Sequence, residues 1–120
     1  GCGLGHGLKA LRHAYPAADL EGLEWSWLLW LLCALLCPWA HVRRADMWKV
    51  DWSPYRMVYL FQRPERMARA AATAETELAP GAWLVSLEFA VPGVLPSAQL
   101  RAPGGRVVWL YRMPLNRVNV

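Results

Sequence analysis

The order of apolar and polar positions predicts alternating short strands and helices along most of the chain. Residues 55–61 form a nearly continuous apolar run, as expected of a strand buried in a parallel sheet. The alanine-rich stretch after it has Pro64 in its first turn and Pro80-Gly81 beyond its end, the usual boundaries of a helix. Strands are predicted at residues 19–24, 40–46 and 82–89 as well, and helices at 8–14, 25–37 and 65–78. This alternation indicates an α/β fold with a mostly parallel sheet and right-handed crossovers.

The last part of the chain has a different pattern. The turn Pro103-Gly104-Gly105 separates residues 98–101 from the apolar run 106–112, which predicts a terminal antiparallel hairpin. The residues after Arg112 show no pattern that predicts a helix or a strand. We therefore expect one domain over residues 1–114 and a tail over 115–120.

The segment 25–37 is apolar on almost every side. It is shorter than the roughly 20 residues of a membrane-spanning helix, since Glu24 precedes it and Pro38 ends it. We expect a crossover helix packed on the sheet, with a remaining apolar surface open to a partner or to a membrane surface. Cys33, Cys37 and His41 are spaced four apart, but Pro38 interrupts the helix before His41 and no fourth ligand is evident. No metal site is predicted.

Composition narrows the function classes. The chain has 120 residues, 56% of them hydrophobic, and a formal charge of +4. The basic residues are spread along the chain, so no nucleic-acid patch is predicted. Three cysteines without a CxxC pair are typical of a reducing cytoplasm. Because the chain opens with Gly1 inside a motif, we expect the first strand of the sheet to be largely missing from it.

Glycine occupies every second position from Gly1 to Gly7, directly before the first predicted helix. Glycine lets the backbone approach a ligand closely, and a helix N-terminus offers free N–H groups and a positive dipole end. The dinucleotide fingerprint G-x-G-x-x-G fails because His6 and Leu8 stand where the last glycine is needed, and the phosphate-loop motif is absent. A frayed glycine-rich terminus is the structural alternative.

Two carboxylates end predicted strands. Glu24 follows Gly5 by 19 residues, and nucleotide-binding α/β units place an acidic residue about 20 residues on, where it accepts hydrogen bonds from ribose hydroxyls. Strand alternation puts Glu21 on the opposite face, as a solvated residue. Asp46 ends the next short strand, where the alternative role is capping the turn before Trp48.

The residues 57–65, 78–86 and 89–93, with the G-x-G-x-G spacing, resemble small bacterial class I S-adenosylmethionine (SAM)-dependent methyltransferases. More distantly, they are similar to the mitochondrial lysine methyltransferases that modify the ATP synthase c-subunit. The resemblance extends from Gly1 to about Pro114. It implies a Rossmann-like, mostly parallel sheet closed by a C-terminal antiparallel hairpin, with SAM as cofactor.

The resemblance also implies roles for single residues. The cofactor residues are Gly1, Cys2, Gly3, Gly5, Glu24 at the ribose, Trp25, Asp46 and Met47 at the adenine, and Phe61 at the methyl donor. Gln62 falls on the substrate side. The run Phe61-Gln62-Arg63-Pro64 replaces the Asn/Asp/Ser-Pro-Pro-aromatic motif of methylases that act on base amino groups. A protein lysine or a small molecule is therefore the favoured acceptor over a nucleic-acid base.

The sequence thus predicts a bacterial, cytoplasmic SAM-dependent methyltransferase. A nitrogen acceptor has to be neutral, which needs a general base or a depressed amine pKa, and no catalytic residue is identified. Two alternatives stay open: a non-catalytic or membrane-apposed α/β fragment, and a nicotinamide-dependent oxidoreductase with the same sheet. Peripheral membrane association is compatible with the first of these.

Overall fold

A computed structural model describes residues 5–101 and 104–118, with His6 described in its backbone only. The chain divides into two compact units, one ending at Val50 and the other beginning at Asp51. Gly1, Cys2 and Gly3 of the predicted glycine loop lie outside the described residues. The expectation of a strand before Gly1 stays a prediction.

The first unit is a small parallel α/β arrangement. Its elements are α1 (His6–Ala14), β1 (Glu21–Leu23), α2 (Trp27–Leu36) and β2 (His41–Arg43). β1 and β2 pair in parallel with Gly22 opposite Val42, as the predicted crossover requires. Leu8, Cys33 and Cys37 form its buried core, with Leu20, Trp39, Ala40 and Val42 packed around them.

The helix α2 packs on the sheet by one side only. Trp30 Nε1 donates a hydrogen bond to the Val42 carbonyl at 3.2 Å, which holds that side against β2. The opposite side exposes the large apolar residues Trp27, Leu28, Leu32, Leu35 and Leu36. Within residues 5–101 and 104–118, no helix has both the length and the apolar character that crossing a membrane requires.

The second unit is built on a mixed four-stranded sheet. Its elements are β3 (Met57–Leu60), α3 (Pro64–Glu77), β4 (Trp83–Leu87), β5 (Val94–Leu95), β6 (Ala98–Arg101), β7 (Val107–Arg112) and β8 (Asn116–Arg117). The strand order of the four-stranded sheet is β3-β4-β7-β6. β3 and β4 are parallel, whereas β7 is antiparallel to both β4 and β6. The strands of this sheet, the long helix and the terminal hairpin lie where the sequence predicts them.

The helix α3 covers this sheet with a narrow stripe of small residues. Met67, Ala70, Ala71 and Ala74 are buried and recur at helical spacing, so one face of α3 is in the core. Ser86 Oγ of β4 lies 3.8 Å from Met67 Sδ, which places this face against the centre of the sheet. Alanine at three of the four positions allows the helix to approach closely.

Residues that the sequence assigns to a tail take part in a second, smaller sheet. There β8 pairs antiparallel with β5, and Leu95 lies opposite Asn116. Arg117 also forms an ion pair with Glu75 of α3. Strands of two residues leave no periodic pattern, so the sequence contains no signal for this pairing.

Candidate functional site

Glu24 lies at the carboxyl end of β1 and is almost fully buried, with 8% of its surface exposed. Its Oε2 accepts a hydrogen bond from the Ser26 N–H at 3.0 Å, just before α2 begins. Its backbone N–H donates to the Arg43 carbonyl, and its own carbonyl accepts from Ala45. The carboxylate is therefore fixed in place by both the strand pairing and the helix start.

Asp46 lies at the same edge, directly after Ala45. Its Oδ1 accepts a hydrogen bond from the Trp48 N–H at 3.0 Å. The turn-capping contact that the sequence offered as an alternative is thus present. The Ala45 N–H bond to Glu24 brings Asp46 to the edge at which Glu24 lies, although β2 ends at Arg43 and not at Asp46 as predicted. Met47, the next residue, is half-buried.

An aromatic and a cationic side chain border these carboxylates. Trp25 follows Glu24 and keeps 61% of its surface exposed. The guanidinium carbon of Arg44 lies 4.7 Å from the centre of a Trp25 ring, within range of a cation–π interaction. This edge therefore offers two carboxylates and an open indole surface.

The glycine turn has a different neighbour. Gly5 is buried and adopts φ = 88°, in the left-handed region that favours glycine, as the N-cap of α1. A Cβ at this position would lie 2.5 Å from Cys37 Sγ and 3.4 Å from Cys33 Sγ. The Cys37 thiol points at the Gly5 carbonyl, 3.9 Å away. Burial raises the pKa of the Cys37 thiol, and the neighbouring Cys33 raises it further.

Gly5 and Glu24 contact residues at different ends of α2. Gly5 packs on thiols at the C-terminal end of α2, whereas Glu24 precedes the N-terminal end of that helix. The ten residues of α2 separate the two ends by about 15 Å. In the described part of the first unit Gly5 therefore packs on buried thiols, and its role in cofactor binding stays a prediction.

The residues Cys33, Cys37 and His41, spaced four apart in the sequence, lie in different surroundings. Cys33 and Cys37 are fully buried, while His41 is exposed on β2. Across the part of the chain that the structure describes, no three His, Cys, Asp or Glu side chains are grouped to hold a metal ion. An open depression of about 450 Å³ runs along β2 past His41 and Arg43, and neither Glu24 nor Asp46 is among the residues that line it.

Phe61 and Gln62 follow the carboxyl end of β3 in the second unit. Phe61 stacks on Phe89 with 6.1 Å between ring centres and 26° between ring planes. The guanidinium carbon of Arg106 lies 5.4 Å from the centre of the Phe61 ring. Phe89 and Arg106 are not among the site residues predicted from the sequence, although Phe89 ends one predicted strand and Arg106 begins another.

Hydrogen bonds from several residues hold the backbone around Phe89, whose own N–H donates to the Leu87 carbonyl at 2.9 Å. Ser86 Oγ donates to the Phe89 carbonyl at 2.6 Å, and Trp109 Nε1 donates to the Glu88 carbonyl at 3.0 Å. The Glu88 N–H donates to Val107, although Glu88 itself has φ = 72°. These contacts keep a non-glycine residue in the left-handed region and fix the position of the Phe89 ring.

The chain is similar to known methyltransferases in sequence. Residues 1–98 match the family model described as the ANTKMT methyltransferase domain. The chain is 29% identical over 117 residues to the lysine N-methyltransferase of the ATP synthase c-subunit from Mus musculus, covering 92% of this chain and 45% of that protein. It is 33% identical over 67 residues to the enzyme of the same name from Xenopus laevis, covering 56% of this chain and 29% of that protein. The chain thus spans less than half the length of these curated relatives.

A solved structure shows the same fold. The RNA methyltransferase from Salinibacter ruber, in complex with S-adenosyl-L-homocysteine, superposes with a TM-score of 0.80 at 22% sequence identity. The superposition covers 93% of this chain and 77% of that one. The class I methyltransferase fold expected from the sequence is confirmed.

Proposed function

The chain belongs to the ANTKMT methyltransferase domain family, and on that premise we propose that it is part of a SAM-dependent methyltransferase. The observation that carries the proposal is the pair of carboxylates, Glu24 and Asp46, at the carboxyl edge of β1 and β2. Open α/β sheets bind nucleotide-like ligands at this edge. The resident groups fit an adenosine, which presents hydroxyl and amino donors and a flat ring.

We assign the contacts accordingly. Glu24 would accept hydrogen bonds from the ribose hydroxyls, and Asp46 one from the adenine amino group. Met47 and the open face of Trp25 would cover the ring. Gly1, Cys2, Gly3 and Gly5 complete the proposed cofactor residues, with Phe61 at the methyl donor and Gln62 toward the acceptor.

The cofactor, when bound, supplies the methyl group and a good leaving group. The residues of this chain then have to position the two reactants and exclude water. A protein lysine is the acceptor we favour, a small molecule next. Support comes from the lysine N-methyltransferase names of the curated relatives and from the replacement of the base-methylase motif by Phe61-Gln62-Arg63-Pro64.

The test is a calorimetric titration of SAM into the full protein. We expect micromolar binding that weakens about 10- to 100-fold in Glu24→Gln, since hydrogen bonds to a charged group contribute about 1.5–3 kcal/mol. Glu21→Gln is the matched control, because Glu21 lies on the same strand with an exposed side chain. Equal SAM affinity in the two variants, or binding of NAD in place of SAM, would reject the proposal.

Peripheral membrane association is a second proposal that the exposed side of α2 supports. Trp27, Leu28, Leu32, Leu35 and Leu36 present a broad apolar surface. Sedimentation with phosphatidylcholine/phosphatidylglycerol vesicles tests it, and Leu35→Glu should abolish binding while Leu100→Glu, on the exposed strand β6, should not. Equal sedimentation of both variants would exclude α2 as the contact.

A bacterial source and a cytoplasmic location also belong to the proposal. Three cysteines without a CxxC pair support a reducing compartment. Fractionation of cells that express the full protein tests the location.

A further inference from the structure

We propose that Phe61 and Phe89 hold the alkyl chain of a lysine-like primary amine and that Arg106 keeps the nitrogen of this amine uncharged. This inference rests on the proposed function, because it describes how the methyl acceptor is recognised. It also answers how a nitrogen nucleophile becomes neutral at a site for which no general base is identified.

The three residues meet because of the strand arrangement. Phe61 follows β3 and Phe89 follows β4, and parallel strands end at the same edge. β7 runs antiparallel to β4 with Val108 opposite Leu87, so Arg106 enters the sheet at that edge as well. The carboxyl edge of parallel strands is where α/β enzymes bind substrates.

The ring pair provides an apolar surface that remains open. Phe61 keeps 45% of its surface exposed even though it stacks on Phe89 and lies beside Arg106. The four-carbon stem of a lysine packs well along such a surface while its nitrogen extends beyond the rings. The hydrogen bonds from Ser86 and Trp109 hold the Phe89 segment in place before any ligand arrives.

Arg106 places a positive charge beside the Phe61 ring. Among residues 5–101 and 104–118, no carboxylate lies within ion-pair distance of Arg106. Burial raises the pKa of Tyr59 on β3, and the charge of Arg106 reaches far enough to oppose that shift. A positive charge next to a bound amine disfavours the ammonium form and lowers the amine pKa.

Other charged groups lie near this edge and also influence the pKa of a bound amine. Glu88 lies in the turn after β4, and Arg63 and Glu65 lie at the start of α3. Arg101 of β6 donates to the Gly105 carbonyl, next to Arg106 in the chain. The two exposed glutamates favour the ammonium form of a bound amine, whereas Arg106, beside the Phe61 ring, favours its free base.

Methyl transfer to the free-base form of the amine needs no general base from the protein. The free-base nitrogen uses its lone pair to form the N–CH₃ bond while the S–CH₃ bond breaks. The electron pair of the broken bond stays on sulfur, which loses its positive charge. The methylated ammonium then releases a proton to water.

The experiment measures the pKa of a bound probe amine, independently of methyl transfer. [1-¹³C]Butylamine, which matches the lysine side chain, is titrated between pH 8 and 11 with the full protein, and its carbon shift is followed by NMR. We expect the bound pKa to lie about one unit below that of the free amine, so that the free base binds about ten times more tightly than the ammonium. The shift should vanish in Arg106→Gln and persist in Arg106→Lys and in the control Arg101→Gln.

Phe61→Ala should weaken butylamine binding at every pH, which separates the role of the ring from that of the charge. An equal bound pKa in the wild type and in Arg106→Gln, or no butylamine binding at all, would overturn the inference. Failure of the proposed function would be distinct, since SAM would not bind while the amine titration kept its Arg106 dependence.

Discussion

The Sγ atom of Cys37 fills the space in which a side chain on residue 5 would lie, 2.5 Å from the position of a Cβ there. Gly5→Ala therefore has to overcome both this contact and the left-handed backbone. We expect the free energy of unfolding to fall by about 2–4 kcal/mol, from about 1–2 for the backbone and the remainder for overpacking. Urea denaturation followed by circular dichroism measures the loss.

Gly104→Ala is the matched control for this variant. Gly104 has φ = 91°, close to the 88° of Gly5, but a Cβ there would meet nothing within 4 Å. The free energy of unfolding of Gly104→Ala should therefore fall only by the cost of the left-handed backbone, about 1–2 kcal/mol. Cys37→Ala added to Gly5→Ala should restore part of the lost unfolding free energy, because it removes the thiol that the new methyl group meets. If the effects of the two substitutions on the unfolding free energy were strictly additive, the thiol contact would be unimportant.

The thiols of Cys33 and Cys37 should be inert in the native protein. Both are fully buried, and burial raises the pKa of Cys37, whereas reaction requires an accessible thiolate. In a Cys2→Ser background, we expect Ellman's reagent to react with neither until urea unfolds the chain. Gly5→Ala should speed the reaction, and fast labelling without urea would contradict the packing described for the first unit.

Tyr111→Phe should cost about 1–3 kcal/mol, because it leaves the N–H of Val91 without its acceptor. The phenol oxygen of Tyr111 accepts that bond at 2.8 Å, and only 1% of the residue is exposed. Tyr15→Phe, at a half-exposed site in the first unit, should change the unfolding free energy by less than about 0.5 kcal/mol. Similar losses in the two variants would contradict this role.

Because of Tyr111, the stability of the native protein should fall at alkaline pH. Burial raises the pKa of Tyr111 above the ordinary value of 10.0. The native state then retains a proton that the unfolded chain releases, so stability is complete below pH 10 and falls as the pH rises through the native pKa. Denaturation curves between pH 9 and 11 should be less steep in pH for Tyr111→Phe than for the wild type.

Asp51 should make the stability of the protein fall in acid, the opposite direction of pH to Tyr111. Hydrogen bonds from the backbone and the hydroxyl of Ser53 lower its pKa below 3.8. Its contribution to stability is present above that value and is lost as the pH falls through the native pKa. Ser53→Ala removes the hydroxyl bond and should raise the Asp51 pKa, which carboxyl ¹³C NMR measures; an unchanged value would show that the backbone bond alone sets it.

Local signals in the sequence were enough to predict most elements. Pro64 and the Pro80-Gly81 pair bound the long helix in both the prediction and the structure, because backbone chemistry sets those ends. The place of Glu24 at a strand end followed from alternation over a few residues. These features depend on neighbours within one turn or one strand.

Contacts between distant segments could not be predicted in this way. The stacking of Phe61 on Phe89 depends on the parallel register of β3 and β4, and the approach of Arg106 depends on the antiparallel register of β7. The packing of Gly5 on Cys37 depends on how two helices cross. None of these registers leaves a periodic pattern in the sequence.

The place of β7 in the sheet has a practical consequence for expression. The region that matches the family model ends at residue 98, where β6 begins, whereas β7 covers the full length of β4 farther along the chain. A fragment trimmed to the matched region would keep the family's characteristic residues but expose five consecutive backbone positions of β4 as an open edge, and such edges aggregate. For this protein, the boundary of sequence similarity is therefore the wrong place to cut.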